Sequence, residues 1–291
     1  MMATDFVNQT TILKDGRTLG FAEYGDLEGK AVFHFNGAGG SRLEHPRDKS
    51  ILTDLGIRFI STDRPGHGLS EPQPDRNLLA WPDDISQLAD HLGIDRFYVM
   101  GWSSGGPYAL ACAYKLPERV LAGAIISGVA PPDRPNPYEG LPFANRVLLF
   151  GERRMPVLVY LMRCMMHPMI IGNPEETGKK LAAFFPPVDR QLIETPEAQK
   201  MFALDIQEGY RQGWKGPAQD DIIVNNPWGF HLEDITVRID IWQGEIDKNV
   251  PRNQAHYQRE RILNSRLTSW PGQAHLFLLA RWHEVLAALV E

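Results

Sequence analysis

The feature that most constrains this chain is a rhythm in which short apolar runs, each closed by glycine or a small polar residue, alternate with stretches of apolar residues at helical spacing. Residues 31–35, 58–62, 97–100 and 121–126 read as strands, and residues 48–55, 79–92 and 108–114 as the helices between them. Strands joined through helices run parallel, and a parallel sheet needs helices over both faces. An antiparallel hairpin comes first, with strands at 11–14 and 18–24 around an Asp15-Gly16 turn. The same rhythm closes the chain: strands at 238–243 and 266–270, helices at 251–262 and 276–290. The expected fold is α/β, a mostly parallel eight-stranded sheet with helices on both faces.

The rhythm breaks at Ala130-Pro131-Pro132-Asp133-Arg134-Pro135-Asn136-Pro137. From there to about Asn226 the pattern is helical, at 157–166, 174–184 and 196–211, with no convincing strand. The organisation predicted is a core of residues 1–130 and 227–291 with a helical cap, 131–226, inserted into it. A length of 291 residues fits one α/β core with such an elaboration.

Composition, 43% hydrophobic and 23% charged, is that of a folded globular chain. A net charge of -6 without any Lys/Arg cluster argues against nucleic acid as a partner. The first ten residues lack the basic stretch and apolar run of a signal peptide, and no segment approaches the roughly 20 apolar residues of a membrane span. A cytoplasmic location without stable membrane insertion is expected. Cys112 and Cys164 are too few for a disulfide framework and lack zinc-site spacing, so both are expected free, with Cys112 packed in a helix. No H-E-x-x-H pair occurs among the histidines. Neither a metal nor an organic cofactor is expected.

Gly101-Trp102-Ser103-Ser104-Gly105 lies between an apolar strand and a strong helix pattern. In that setting, glycines two before and two after a serine relieve crowding in a sharp strand-to-helix turn that lifts the hydroxyl above the sheet edge. Counting from Ser104 would require glycine at 102, which is Trp, so Ser103 is the candidate nucleophile. A plain turn with a capping serine is the bland alternative. The loop Asn36-Gly37-Ala38-Gly39-Gly40 could pass for a dinucleotide-binding turn, but the third glycine position holds Arg42 and no clear ribose-binding acid follows.

Taken in chain order, four segments resemble the α/β-hydrolase superfamily over nearly the full length. They are His34-Phe35-Asn36-Gly37-Ala38-Gly39-Gly40, Asp63-Arg64-Pro65-Gly66-His67-Gly68-Leu69-Ser70, the turn around Ser103, and the late pair Trp242-Gln243-Gly244-Glu245-Ile246-Asp247 and Gly272-Gln273-Ala274-His275. The resemblance implies a triad of Ser103, Asp247 and His275, with backbone N–H groups of Ala38 and Ser104 as the oxyanion hole. The chain departs from the family where many relatives carry His-Gly; here Asn36-Gly37 stands. Glu245 and Asp133 are alternative acids, and His283, inside the closing helix, is an alternative histidine. Asp63, Arg64 and His67 read as structural residues that fix the turn beside the site.

Residues 157–166 are apolar and rich in methionine, so Met162 and Met166, together with Trp102, are candidates for a substrate pocket; packing of a cap helix on the core explains the same pattern. The implied chemistry is acyl transfer to water, with a carboxylic ester of a small or medium apolar substrate as the most economical choice. A proline-type aminopeptidase, a C–C bond hydrolase and a cofactor-free perhydrolase use the same triad. A ligand-binding module on a hydrolase fold is the non-enzyme alternative. The partner expected is a small-molecule substrate; a homodimer is neither required nor excluded by the sequence.

Overall fold

The computed structural model describes residues 6–291, apart from the side chains of Ala144, Leu148 and Glu152. Its strands are β1 (Phe6–Ile12), β2 (Thr18–Gly25), β3 (Lys30–Phe35), β4 (Ile57–Thr62), β5 (Phe97–Trp102), β6 (Val120–Ile126), β7 (Arg238–Gly244) and β8 (Ser265–Trp270). They form one eight-stranded sheet in the order β1-β2-β4-β3-β5-β6-β7-β8. Pairings of β2 with β1 and β4 are antiparallel, and every other pairing is parallel. The expected mostly parallel sheet is therefore what the chain builds.

The α-helices are α1 (Ser50–Asp54), α2 (Trp81–His91), α3 (Gly106–Lys115), α4 (Phe143–Arg154), α5 (Pro156–Ile170), α6 (Pro174–Ala183), α7 (Pro187–Leu192), α8 (Pro196–Gly209), α9 (Lys215–Val224), α10 (Arg252–Arg261) and α11 (Leu278–Val290). Strand residues alternate between the two faces. Phe33, Phe35 and Val99 pack with Trp81 and Ile85 of α2 and Leu110 of α3, whereas Val32 and Met100 pack with Trp282, Val285 and Leu289 of α11. Cys112 is buried in α3 and Cys164 is exposed on α5; both are free thiols.

Connectivity decides where loops meet. The chain leaves β3 through α1 to β4 on one side, then passes through α2 to β5 on the other side of β3. Connections that diverge from neighbouring strands leave a crevice at their carboxyl ends, the usual place for a ligand in an open α/β sheet. Here the loop after β3 and the turn after β5 flank that crevice.

The turn after β5 is held by close contact. Ser103 has φ of +55°, a left-handed conformation that residues other than glycine seldom adopt. A Cβ on Gly101 would lie 2.3 Å from the carbonyl oxygen of Gly105, and one on Gly105 would lie 2.0 Å from that of Phe35. Both distances are far inside van der Waals contact, so these two positions require glycine.

Helices α4 to α9 fill the stretch between β6 and β7. Segments expected at 157–166, 174–184 and 196–211 correspond to α5, α6 and α8, and α5 continues past Pro168 to Ile170. Proline opens α5, α6, α7 and α8, a position where its missing N–H costs no hydrogen bond. Asn173 and Thr195 cap the starts of α6 and α8 by accepting backbone N–H bonds. Three further helices were not individually legible. α7 has six residues, α4 leaves Phe143 and Val147 exposed rather than on a buried stripe, and α9 opens on Gly216-Pro217, a pair that reads as a break. Among the described residues no helix is long and apolar enough to cross a membrane.

Two glycine substitutions should act in opposite directions. Gly105→Ala is expected to lower unfolding free energy by about 3 kcal/mol or more, because the contact is with backbone that cannot rotate away. Gly151→Ala, in α4 with its new Cβ at an ordinary 3.7 Å from Leu158, should raise it by about 0.5–1 kcal/mol. Urea denaturation of both variants checks the pair.

Candidate active site

Three loops at the carboxyl ends of the strands bring Ser103, Asp247 and His275 together. Ser103 follows β5, Asp247 follows β7 and His275 follows β8. His275 Nε2 lies 3.0 Å from Ser103 Oγ, and His275 Nδ1 lies 2.8 Å from Asp247 Oδ2. The other carboxylate oxygen of Asp247 accepts the backbone N–H groups of Asn249 and Val250 at 2.8 and 3.0 Å. Ser103 is half-buried, while His275 and Asp247 are buried. The alternatives lie elsewhere: Glu245, Asp133 and His283 are all exposed.

Electrostatics of the pair are complementary. Burial by itself would lower the His275 imidazole, but the charge and hydrogen bond of Asp247, followed by the charges of Asp189 and Glu44, hold its pKa above the ordinary value. Burial likewise works to raise Asp247, and the charge and hydrogen bond of His275, with the Val250 N–H, hold its carboxyl below the usual range. Each partner thus favours the charged form of the other.

Ala38 lines the cavity that opens on Ser103, and Ser104 follows Ser103 in the chain. The guanidinium of Arg64 donates to the carbonyl oxygens of Asn36 at 2.7 Å and Gly37 at 3.0 Å. Carbonyl and N–H point to opposite edges of a trans peptide, so the N–H of Ala38 is directed away from Arg64, and Ala38 lines the cavity above Ser103. Ser104 lies in the 3₁₀ turn Ser103–Gly105, whose first N–H groups have no partner within the helix. Asn36 donates from Nδ2 to Thr62 O at 2.9 Å and so ties the loop to β4.

Arg64 is itself held by a buried cluster. Arg64 and Arg76 both pair with Asp220 of α9, and Tyr108 donates to the same carboxylate at 2.9 Å. Burial would raise Asp220, but the charges of Arg64 and Arg76 drive it far below the usual carboxylate range. His67, fully buried beside this cluster, is pushed down to about 4 by burial, against the pull of Asp220 and with the help of Arg64 and Arg76. Asp63, from the same segment, accepts from Arg42 and from the Leu69 N–H, closing the turn.

A cavity of about 280 Å³ opens on Ser103 and His275. Trp102, Leu276, Phe185, Phe202 and Ile206 form its apolar wall, with Glu44 and Asp205 beside them. The expected Trp102 is in place, stacked on His275 at 6.0 Å between ring centroids. Met162 and Met166 do not line this cavity. They lie half-buried on α5, which is pinned to α9 by Arg163 and Asp221, so α8 and the residues before α7 supply the wall instead. Asp189 on α7, Asp205 on α8 and Glu44 in the loop after β3 went unnoticed in the sequence, where an isolated acid outside any motif carries no signal.

A model of the family described as alpha/beta hydrolase fold matches residues 31–151. A hydrolase of Pseudomonas aeruginosa superposes over 97% of this chain and 98% of its own with a TM-score of 0.72 and 19% identity. The chain has the α/β-hydrolase fold, and within it residues 31–151 match the sequence pattern of that family. Among curated relatives, a bifunctional esterase/perhydrolase of Acinetobacter calcoaceticus is 23% identical over 90% of this chain and 91% of its own length. A probable proline iminopeptidase of Leptolyngbya boryana is 34% identical over 116 residues, 38% of this chain and 35% of that protein, so the match spans about a third of it.

The neutral state of His67 has a measurable consequence. Between pH 4 and 6.5 the unfolded chain holds a proton on His67 that the folded chain excludes, so this residue's contribution to stability grows as pH rises through that window. His67→Gln removes the linkage. The stability of wild type relative to His67→Gln should therefore increase by on the order of 3 kcal/mol from the acid to the neutral end of the window, read by urea denaturation at each pH.

Proposed function

We propose that this α/β-hydrolase is a serine hydrolase acting through an acyl-enzyme, with a carboxylic ester of a small or medium apolar acid as substrate. The observation that carries the proposal is the unbroken hydrogen-bond chain from Asp247 through His275 to Ser103 Oγ, opening on an apolar cavity. A serine hydroxyl becomes a useful nucleophile when an adjacent base takes its proton. In the proposed reaction His275 Nε2 accepts that proton as Oγ attacks the acyl carbon, and the N–H groups of Ala38 and Ser104 receive the developing oxyanion. The imidazolium then returns the proton to the departing alcohol. Water repeats the sequence, with His275 again as base, and releases the acid. These steps balance without a metal or an organic cofactor.

Residues 131–226 act in this reading as a cap that selects the acyl group, since Phe185, Phe202 and Ile206 come from it. The Acinetobacter relative, matched along most of both chains, supports the ester assignment by its name. A second reading, cleavage of an amide beside a free amino group, is favoured by Glu44 and Asp205 in the cavity wall. Burial, then the charge of Glu44, pushes the Asp205 carboxyl well up. A substrate ammonium would offset the second of these.

Fluorophosphonate labelling followed by a series of p-nitrophenyl esters and prolyl amides tests both readings. Ser103→Ala should abolish labelling; undiminished labelling would remove Ser103 from its role. Short acyl esters should turn over best, and prolyl amides outpacing them would replace the first reading by the second. Because His275 must be neutral to act as base and its pKa is raised, kcat/KM should fall as pH drops through a value above 6.5. Asp247→Asn should cost about 10³–10⁴-fold in kcat.

A further inference from the structure

His275 is held at more points than its imidazole. Trp102 Nε1 donates to the His275 carbonyl at 3.2 Å. On the other side, the His275 N–H donates to Asp189 Oδ2 at 3.0 Å and the next N–H, from Leu276, to Asp189 Oδ1 at 2.9 Å. Asp189 belongs to α7, in the helical insertion, and reaches the histidine loop from 86 residues away in sequence. It is fully buried, and among the described residues no lysine or arginine pairs with it.

A buried carboxylate without a cationic partner is costly unless its oxygens are satisfied. Burial raises the Asp189 carboxyl; the two backbone N–H bonds and the charge of His275 oppose that rise. The groups whose charges act on His275 are Asp247 from the loop after β7, Asp189 from α7 and Glu44 from the loop after β3, all negative. Asp189 differs from the other two in gripping the histidine backbone.

We propose that Asp189 is a positioning residue for His275: the insertion sets the peptide from which the imidazole projects and lends a second negative charge to the imidazolium formed as Ser103 attacks. This rests on the serine-hydrolase reading. Its consequence is that seating of α7 on the core and competence of the Ser103–His275 pair are one event. The insertion therefore does more than shape the cavity.

Asp189→Asn and Asp189→Glu in the full chain, assayed on a short p-nitrophenyl ester across the acid limb, test the role. The Asn variant keeps the shape, removes the charge and turns an amide NH₂ toward one of the two donors. Its kcat should fall about 10–100-fold with KM within about twofold of wild type, and its acid limb should move to lower pH. The Glu variant restores the charge one methylene out of place, so its limb should stay near the wild-type position while kcat falls. An Asn variant with wild-type kcat and acid limb overturns the proposal, even if its melting temperature drops. Should the Asn variant not fold, the Glu variant decides: kcat about tenfold down with an unmoved limb supports the role, and wild-type kcat overturns it. A wild type that neither labels nor turns over any acyl substrate overturns the hydrolase reading itself, which an active wild type matched by the Asn variant does not.

Discussion

The approach of Gly105 to the carbonyl of Phe35 is the contact on which the rest of the site depends. It lets the first turn of α3 sit directly against the end of β3, so that two loops from neighbouring strands share one crevice. Ser103 is forced into its left-handed conformation by the same turn, and its hydroxyl is thereby presented to His275 rather than buried against the sheet. A methyl group at either flanking glycine would separate the strand from the helix by more than the packed core can absorb.

Around that contact the molecule arranges two kinds of support. On the side of the loop after β3, buried charges do the holding: Arg64 binds two loop carbonyls and is itself clamped by Asp220, which also engages Arg76 and Tyr108. On the histidine side, the support is backbone hydrogen bonding, from Asp189 and Trp102. Asp220 and Asp189 both come from the helical insertion, so the insertion reaches under each half of the site. Both carboxylates are buried there. Each satisfies polar groups that a closed apolar interface would strand.

Much of this was legible in the sequence for a physical reason. Parallel strands buried on both faces must be apolar runs, and tight turns must carry glycine, so β3 to β8 and the Ser103 turn announce themselves locally. In the insertion, α6 and α8 start on proline, which also marks them. Helix α9 escaped because its opening Gly216-Pro217 resembles a break, and α7 because six residues carry too little period to register. Met162 and Met166 were misplaced because apolar composition does not say which side chains of a helix are covered, nor by what; on α5 Val159 and Ile170 are buried while Val157, Leu161 and Met165 are exposed.

The sequence by itself determined the sheet, the position of the Ser103 turn and the chain order of Ser103, Asp247 and His275, since each is written in residues close together along the chain. Only the tertiary structure decided which side chains face Ser103. Glu44, Asp189 and Asp205 are isolated acids with no motif around them, and it is the folding of α7 and α8 over the sheet that brings Glu44 and Asp205 to the cavity wall and buries Asp189 against the His275 backbone. Burial is a property of the whole packed molecule, and no local pattern encodes it for an isolated carboxylate.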